Sequence, residues 1–259
     1  TIRDLFRHTA GFGYGGNDIV GRLYSKRISF STTMTLKEFV QKITSVPLKY
    51  QPGSRWEYSF ANDILGYLVE VISGKPLDVC MDEALFKPLG MKCTGFYVLP
   101  GNIDKLCNFY AYTDNKLILV EGGLNSRFAA RPAFISGGGG GVSTIDDYSK
   151  FCQMLLNYGE FKGKRILSRQ TVELLISNQI GEIEDRGFEV SGFGFGIGVN
   201  PAKNNGGTAS CFWAGSPYNN TFMVDYNKQM IAILLTQNSP WGHLGLMEKF
   251  EKIVIEETK

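Results

Sequence analysis

The chain has 259 residues, and 43% of them are hydrophobic and 20% charged. This composition excludes intrinsic disorder, and the length suits one large domain or two interleaved ones. The chain carries 27 Lys and Arg residues against 25 Asp and Glu residues, so its formal net charge is +2, and no run of five like charges occurs. These numbers exclude a basic nucleic-acid-binding surface and a polybasic membrane patch, and they favour a small-molecule ligand.

The apolar stretches and the cysteines narrow the class of protein further. The apolar run Met230–Leu235 has the size of a strand, far below the roughly 20 residues that a membrane helix needs. Five cysteines are scattered without C-x-x-C spacing, which argues against a disulfide framework and against a zinc knuckle. We expect buried thiols, no metal and no cofactor, and the unpaired cysteines slightly favour the cytoplasm.

The first half of the chain is predicted to be mainly helical. The Thr35–Glu38 capping box precedes apolar residues at helical spacing, which indicates an amphipathic helix that Pro47 ends. Apolar residues recur at helical spacing from Ile64 to Ile72 and stop at Gly74, a residue type that favours the position after a helix. A third helix is predicted over Leu77–Leu85.

The later parts of the chain change in character. Short aromatic and β-branched runs between Thr94 and Leu119 suggest strands or extended loops. The pair Ser143-Thr144 and, later, Ser168 predict the starts of two helices, and a closing helix is expected from about Leu244. The strands predicted in the last third are Phe193–Val199, Ala209–Trp213, Thr221–Val224 and Met230–Thr236.

This order of elements predicts an α+β fold, with an antiparallel sheet flanked by helices and a helical subdomain. We expect a single domain over residues 1–259, mostly helical to about residue 180, with the sheet and the terminal helix in residues 181–259. The glycine runs Gly137–Gly141 and Gly192–Gly196 lack the residues of a phosphate-binding loop, so they indicate close backbone packing rather than nucleotide binding.

Histidine is scarce, which limits the catalytic chemistry that the chain can support. The sequence contains only His8 and His243, and no G-x-S-x-G motif. A Ser-His-Asp hydrolase is therefore not favoured. We expect His8 to make a structural hydrogen bond and His243 to lie on the surface at the start of the last helix.

Four segments carry a resemblance to a known family. The opening segment Thr1–Phe12, read as TIRDLFRHTAGF, resembles a segment of serine hydrolases related to class C β-lactamases, DD-peptidases of the penicillin-binding protein type and the bacterial carboxylesterases that share their fold. Further matches follow in the same order at Pro52–Ser59, Gly138–Tyr148 and Trp213–Gly215. The resemblance covers nearly the whole chain and implies a β-lactamase/transpeptidase-like fold.

Three motifs build the catalytic site of that family: Ser-x-x-Lys, Tyr-x-Asn and Lys-Thr-Gly or a substitute. Tyr58 matches the motif tyrosine, whereas Phe60 stands where the asparagine would be. Trp213 stands where lactamases have lysine and is similar to the Trp-x-Gly form of the esterase branch. Because an indole cannot pair with the carboxylate of a β-lactam or a D-Ala-D-Ala peptide, the expected substrate is an uncharged ester or amide.

The resemblance also implies roles for individual residues. Tyr58 would relay protons, and because tyrosine ionises near pH 10, it would need a cationic neighbour, which the family supplies as the Ser-x-x-Lys lysine. The backbone N–H of Ser216 would form one half of the oxyanion hole. The residues that the resemblance places around the substrate are Trp213, Gly215, Tyr218 and Phe60.

The serine and lysine of the first motif have no match in the chain. No serine from Ser25 to Ser239 has a lysine three residues later. In the family, Ser-x-x-Lys lies upstream of the segment that here begins at Thr1. We therefore expect an N-terminally truncated enzyme that is inactive as residues 1–259 alone. Its sheet would expose an apolar face and an unpaired edge, which a complementing N-terminal fragment or a second copy would cover.

Two alternatives remain open. A non-catalytic ligand-binding protein would also explain the missing Ser-x-x-Lys and the presence of Phe60. A β-lactamase or DD-peptidase would act on cell-wall-like amides rather than esters. None of the three hypotheses involves nucleic acid or a membrane-spanning segment.

Overall fold

The computed structural model describes residues 1–28, 33–181, 183, 192–201, 208–215, 218–240 and 242–257. Within them, helices are most frequent before residue 180, and an antiparallel sheet follows. The α-helices are α1 (Ile2–Phe6), α2 (Ile19–Arg27), α3 (Leu36–Thr44), α4 (Ala61–Ser73), α5 (Leu77–Met81), α6 (Lys87–Leu89), α7 (Ile145–Leu156), α8 (Arg169–Ile176) and α9 (Leu246–Glu257).

The strands form one four-stranded sheet and two smaller sheets. The four-stranded sheet is antiparallel in the order β5-β6-β7-β8, and a three-stranded sheet has the order β2-β1-β9, with β1 and β9 parallel. A short hairpin joins β3 and β4. The strands are β1 (Phe109–Thr113), β2 (Lys116–Glu121), β3 (Glu160–Phe161), β4 (Lys164–Arg165), β5 (Gly198–Pro201), β6 (Thr208–Gly215), β7 (Asn220–Asp225), β8 (Met230–Leu234) and β9 (Asn238–Ser239).

The helices with clear end signals in the sequence are confirmed. The Thr35 hydroxyl accepts the N–H of Glu38 at 3.3 Å, and the Glu38 carboxylate accepts the N–H of Thr35 at 2.8 Å, so both halves of the predicted capping box form at α3. Gly74 ends α4 in the left-handed conformation, with φ 68°. Helices α7 and α8 begin after Thr144 and Ser168, whose hydroxyls accept N–H groups of the first turn.

Several other elements differ from the prediction. The helix expected over Leu77–Leu85 is α5 followed by a π-helical turn, Asp82–Phe86. The first predicted strand of the last third begins late, at Gly198, because Phe193 makes only a single bridge with Gly198. The closing helix begins at Leu246 rather than Leu244. Helices α1 and α2, the β3–β4 hairpin and the two-residue strand β9 were not predicted.

The hydrophobic core joins the helices to the four-stranded sheet. The rings of Tyr148 and Phe151 on α7 contact Phe222 of β7 edge-on, at centroid distances of 5.2 and 6.5 Å. Helix α3 buries Phe39 and Ile43 completely. The fold class is thus confirmed as α+β, with the antiparallel sheet packed against helices.

Two cysteines expected to be buried are exposed, and His243, expected at the surface, is half-buried. Cys152 and Cys211 are buried as expected, but Cys93 and Cys107 are exposed. His243 is half-buried rather than on the surface, because its ring stacks on Tyr112 of β1 at 3.8 Å. Within the described parts of the chain, no helix combines the length and the apolar character needed to span a membrane.

The glycine run supplies close backbone approach, as predicted, and this gives a test of the fold. A Cβ atom on Gly137 would lie 2.3 Å from the carbonyl oxygen of Asn62 in α4, whereas a Cβ on Gly139 would meet nothing within 4 Å. We predict that Gly137→Ala lowers the free energy of unfolding by about 1–3 kcal/mol, because backbone must shift to admit the methyl group. Gly139→Ala is the matched control. Equal urea-unfolding midpoints for the two variants would contradict this packing.

Candidate active site

The opening segment of the chain is held against the segment that leads to Tyr58. The carbonyl oxygens of His8, Thr9 and Gly11 accept the N–H groups of Glu57, Gly53 and Lys49 at 3.0, 2.8 and 2.8 Å. Gly53 occupies this turn with φ 89°, a conformation that favours glycine. These backbone bonds bring residues 8–11 and 49–57, which are some forty positions apart in the sequence, into one layer.

A buried carboxylate fixes the opening segment itself. Asp4 accepts hydrogen bonds from the Arg7 guanidinium at 2.8 Å and from the Thr9 hydroxyl at 2.9 Å. Although burial opposes ionisation, the bonds from Thr1, Arg7 and Thr9 hold the pKa of Asp4 well below its usual range. Arg7 in turn donates to the carbonyl oxygen of Gln179 at 2.9 Å, so α1 is tied to the chain that follows α8.

Tyr58 lies where three parts of the chain meet. Its ring contacts His8 at a centroid distance of 4.5 Å, Tyr14 at 5.4 Å and Trp213 at 5.1 Å. His8 and Tyr14 belong to the opening segment, whereas Trp213 lies on β6 of the sheet. The structure thus brings together Tyr58 and Trp213, two of the residues predicted for the site.

Strand β6 positions Trp213 and Gly215. The Trp213 ring lies between Tyr58 and the fully buried Phe193, which it contacts edge-on at 5.9 Å. Its carbonyl oxygen accepts the Thr221 hydroxyl at 3.1 Å, and Gly215 pairs with Asn220 at the end of the strand. Ser216, the predicted oxyanion-hole residue, lies outside the described residues.

Phe60 and Tyr218 occupy different surroundings. Phe60 precedes α4, and its ring contacts Tyr14 at 4.3 Å and Phe39 at 5.0 Å, so it packs between Tyr14 and the helical core. Tyr218 is half-buried and contacts Phe109 of β1 edge-on at 4.7 Å. Tyr218 therefore lies toward the small sheet, while Phe60 lies behind Tyr14.

Asn219 anchors the turn between β6 and β7. It is buried and adopts a left-handed conformation with φ 57°. Its side-chain amide donates to the carbonyl oxygens of Asn238 and Pro240 at 2.8 and 3.2 Å, and its side-chain oxygen accepts the N–H of Gly242 at 2.9 Å. These bonds hold the turn that follows Gly215 against the segment that contains β9.

The electrostatics of Tyr58 favour its protonated form. Burial raises the pKa of Tyr58, the charge of Asp63 raises it further, and a hydrogen bond with the Tyr14 hydroxyl lowers it. Burial likewise raises the pKa of Asp63, against hydrogen bonds from the Ser136 hydroxyl at 2.6 Å and the N–H of Gly138 at 3.2 Å. Neither group that acts on Tyr58 from the described part of the chain is a cation.

Tyr14 and Asp63 were missed in the sequence, although a tyrosine within a glycine-rich loop is a usable signal.

His8 makes the structural hydrogen bond expected of it. The ring is 1% exposed, and its Nδ1 accepts the N–H of Ser59 at 3.3 Å. The proton of the neutral ring therefore resides on Nε2, which is buried without a hydrogen-bond partner among the described residues. Burial lowers the pKa of His8 from 6.5 to about 3.

This buried histidine predicts a loss of stability in mild acid. The folded protein keeps His8 neutral, whereas the unfolded chain binds a proton below its pKa of 6.5, so stability falls as the pH drops from 6.5 toward about 3. Between pH 6.5 and 5 this group alone lowers the free energy of unfolding by about 2 kcal/mol. We predict a smaller fall for His8→Gln, measured by urea unfolding at pH 7 and pH 5. Parallel falls in the two proteins would show that His8 is protonated in the fold.

Comparisons with known proteins show the family to which the chain belongs. A family model described as Beta-lactamase matches residues 1–251. The chain is 31% identical over 255 residues to Protein Rv1367c of Mycobacterium tuberculosis, which covers 92% of this chain and 62% of that protein. It is 29% identical over 273 residues to esterase EstB of Burkholderia gladioli, with 95% of this chain and 66% of the esterase covered.

A solved structure shares the fold. The structure of EstCE1, described as a hydrolase with promiscuous acyltransferase activity, is 26% identical with a TM-score of 0.73, and the match covers 92% of this chain and 67% of that chain. The chain thus spans 62% and 66% of the two curated relatives. The family model covers nearly every residue, from the opening segment through the sheet and into α9, and on this basis the chain belongs to the β-lactamase family.

Proposed function

We propose that this chain is the larger part of a serine hydrolase that cleaves uncharged esters through an acyl-enzyme. The observation that carries the proposal is a ring contact. The centroids of the Tyr58 and Trp213 rings lie 5.1 Å apart, and Trp213 lies on β6, the strand that ends at Gly215. Acyl transfer needs a group able to move a proton and N–H donors for the oxyanion, and we propose that the Tyr58 phenol and the backbone at the end of β6 supply these two parts. The similarity to an esterase and to a hydrolase with acyltransferase activity supports the same reaction class.

In this proposal Tyr58 relays the proton of the attacking serine. Burial and Asp63 together keep its phenol protonated, so a cation must approach it before it can act as a base. A lysine three residues after the nucleophilic serine supplies that cation in the Ser-x-x-Lys motif. Both residues are proposed to lie in a segment of the protein outside residues 1–259.

The other predicted residues take supporting roles. The backbone N–H of Ser216 is proposed to stabilise the oxyanion together with the N–H of the nucleophile, and removal of one such donor costs about 3–4 kcal/mol of transition-state stabilisation in comparable hydrolases. Trp213 and Gly215 would shape one side of the acyl site and Tyr218 another. Phe60 would contribute through its contact with Tyr14.

The indole of Trp213 favours an ester over a carboxylate-bearing substrate. Trp213 stands where lactamases carry a lysine. Its indole offers an apolar face that cannot neutralise a substrate carboxylate. The same residue distinguishes the proposed ester hydrolase from a β-lactamase or a DD-peptidase.

A groove on the sheet supports the proposal of a complementing segment. Strand β8 pairs only with β7 among the described residues, so its outer edge has no partner there. Beside that edge, Ile231 and Ile233 of β8, the α7 residues Ile145 and Gln153 and the ring of Phe161 line a cavity of about 620 Å³. We propose that the segment carrying Ser-x-x-Lys adds a strand here, since the curated relatives are longer than this chain.

Substitution of Tyr58 tests the proposed function. In the full-length protein, Tyr58→Phe keeps the ring contacts with His8 and Trp213 and removes only the hydroxyl. We predict a fall in kcat of about 10²- to 10⁴-fold toward a nitrophenyl ester, with an unchanged thermal unfolding midpoint.

Three results would contradict this function. Unchanged ester turnover in Tyr58→Phe would refute the role of the phenol. Turnover of nitrocefin that exceeds ester turnover in the unsubstituted protein would favour the lactamase, and turnover of neither would favour a ligand-binding protein.

Hydrogen–deuterium exchange tests the complementing segment. We predict that the β8 amides not bonded to β7 exchange rapidly in residues 1–259 alone and are protected in the full-length protein. The amides of α3 are the internal control and should exchange equally in both. Equal exchange of β8 in the two forms would contradict the proposed strand addition, and protection that depends on protein concentration in residues 1–259 would indicate a second copy instead.

A further inference from the structure

A glycine-rich loop between α1 and α2 presents Tyr14 to the candidate site. The loop contains Gly13 before Tyr14 and Gly15 and Gly16 after it. Gly15 and Gly16 adopt φ values of 132° and 124°, which side chains rarely permit. The tyrosine itself is 45% exposed, although its ring contacts those of Tyr58 and Phe60, and nothing described above gives it a function.

A buried lysine fixes this loop to the residue that precedes Tyr58. The Lys49 ammonium bonds to Glu57 at 2.6 Å and to Asp18, at the end of the loop, at 3.2 Å, and the lysine side chain is only 11% exposed. A Cβ atom on Gly13 would lie 2.8 Å from Lys49 Cδ and 2.9 Å from Glu57 Oε1, so the loop backbone lies directly on this ion pair. The positions of Tyr14 and Tyr58 are therefore set by the same charged cluster.

Two aromatic contacts position the Tyr14 ring. Its ring centroid lies 4.3 Å from that of Phe60, edge-on, and 5.4 Å from that of Tyr58. We propose that Tyr14 is a positioning residue, whose hydroxyl donates a hydrogen bond to the phenolic oxygen of Tyr58 and holds it in the orientation for proton transfer. This inference rests on the proposed role of Tyr58.

The charges around the two phenols determine which hydroxyl donates. Burial raises the pKa of Tyr14, and the nearby Tyr58 and Asp63 raise it further, whereas the hydrogen bond with Tyr14 lowers the pKa of Tyr58. In the proposed bond, Tyr58 is the phenol that ionises, and Tyr14 stays protonated to donate to it. The other groups that face Tyr58 are the neutral ring of His8 and the indole of Trp213. The negative charge of Asp63 disfavours the Tyr58 phenolate, and the hydrogen bond from Tyr14 would stabilise it.

The titration of Tyr58 tests this bond without any assay of activity. The chain is labelled with 3-fluorotyrosine, and the ¹⁹F resonance of Tyr58 is identified as the one that Tyr58→Phe lacks. We predict that Tyr14→Phe raises the midpoint of that resonance by about 1 pH unit, because the phenolate loses a donor. Tyr112→Phe is the matched control, since it removes a hydroxyl that bonds to Asn115 at 3.3 Å in the β1–β2 hairpin. A Tyr58 midpoint that is the same in Tyr14→Phe and in Tyr112→Phe would overturn the inference.

A kinetic measurement separates this inference from the proposed function. In the full-length protein, Tyr14→Phe should lower kcat for a nitrophenyl ester about tenfold, leave KM unchanged and move the pH profile upward by the same shift as the midpoint. An equal loss at every pH would assign Tyr14 a merely structural role. If instead Tyr58→Phe leaves turnover unchanged, the proposed function fails while the ¹⁹F result for the phenol pair stands.

Discussion

The packing of the Tyr58 ring between His8 and Trp213 is the interaction on which the candidate site depends. It joins the opening segment of the chain to the four-stranded sheet, at centroid distances of 4.5 and 5.1 Å. Each aromatic contact of this kind contributes about 0.5–1.5 kcal/mol beyond the apolar area it buries, so the ring alone does not hold the two parts together. The backbone bonds between residues 8–11 and 49–57 and the ion pairs of Lys49 supply the rigidity that keeps the ring in place.

Burial of the polar groups His8 and Asp63 near Tyr58 lowers the stability of the fold. His8 is kept neutral by burial, and its Nε2 proton finds no acceptor within the described residues, which is a cost that a purely structural core would avoid. Asp63 is also buried, and its carboxylate, bonded to Ser136 and Gly138, fixes the start of the glycine run beside α4. Burial and the charge of Asp63 raise the pKa of the Tyr58 phenol, so its ionisation depends on what approaches it.

Much of the fold could be predicted because its signals are local. Capping residues such as Thr35, Thr144 and Ser168 define helix starts through bonds within one turn, and the sequence shows them directly. Strand β9 could not be predicted, because its two residues carry no periodicity and pair with β1 from more than a hundred positions away. Motif matching predicted Tyr58 and Trp213, whose rings the structure brings into contact, whereas it missed Tyr14, which meets Tyr58 only through a contact in the folded chain. Motif position predicts Phe60 at the substrate, and in the structure its ring packs between Tyr14 and Phe39.

The central claim is that Tyr58 and the end of β6 serve an acylatable serine that residues 1–259 do not contain. Labelling of the full-length protein with a fluorophosphonate probe, followed by peptide mapping, tests this claim most directly. We expect one labelled serine, with a lysine three residues later, in a peptide outside residues 1–259. A label on any serine between Ser25 and Ser239, or no label on an intact folded protein, would contradict it.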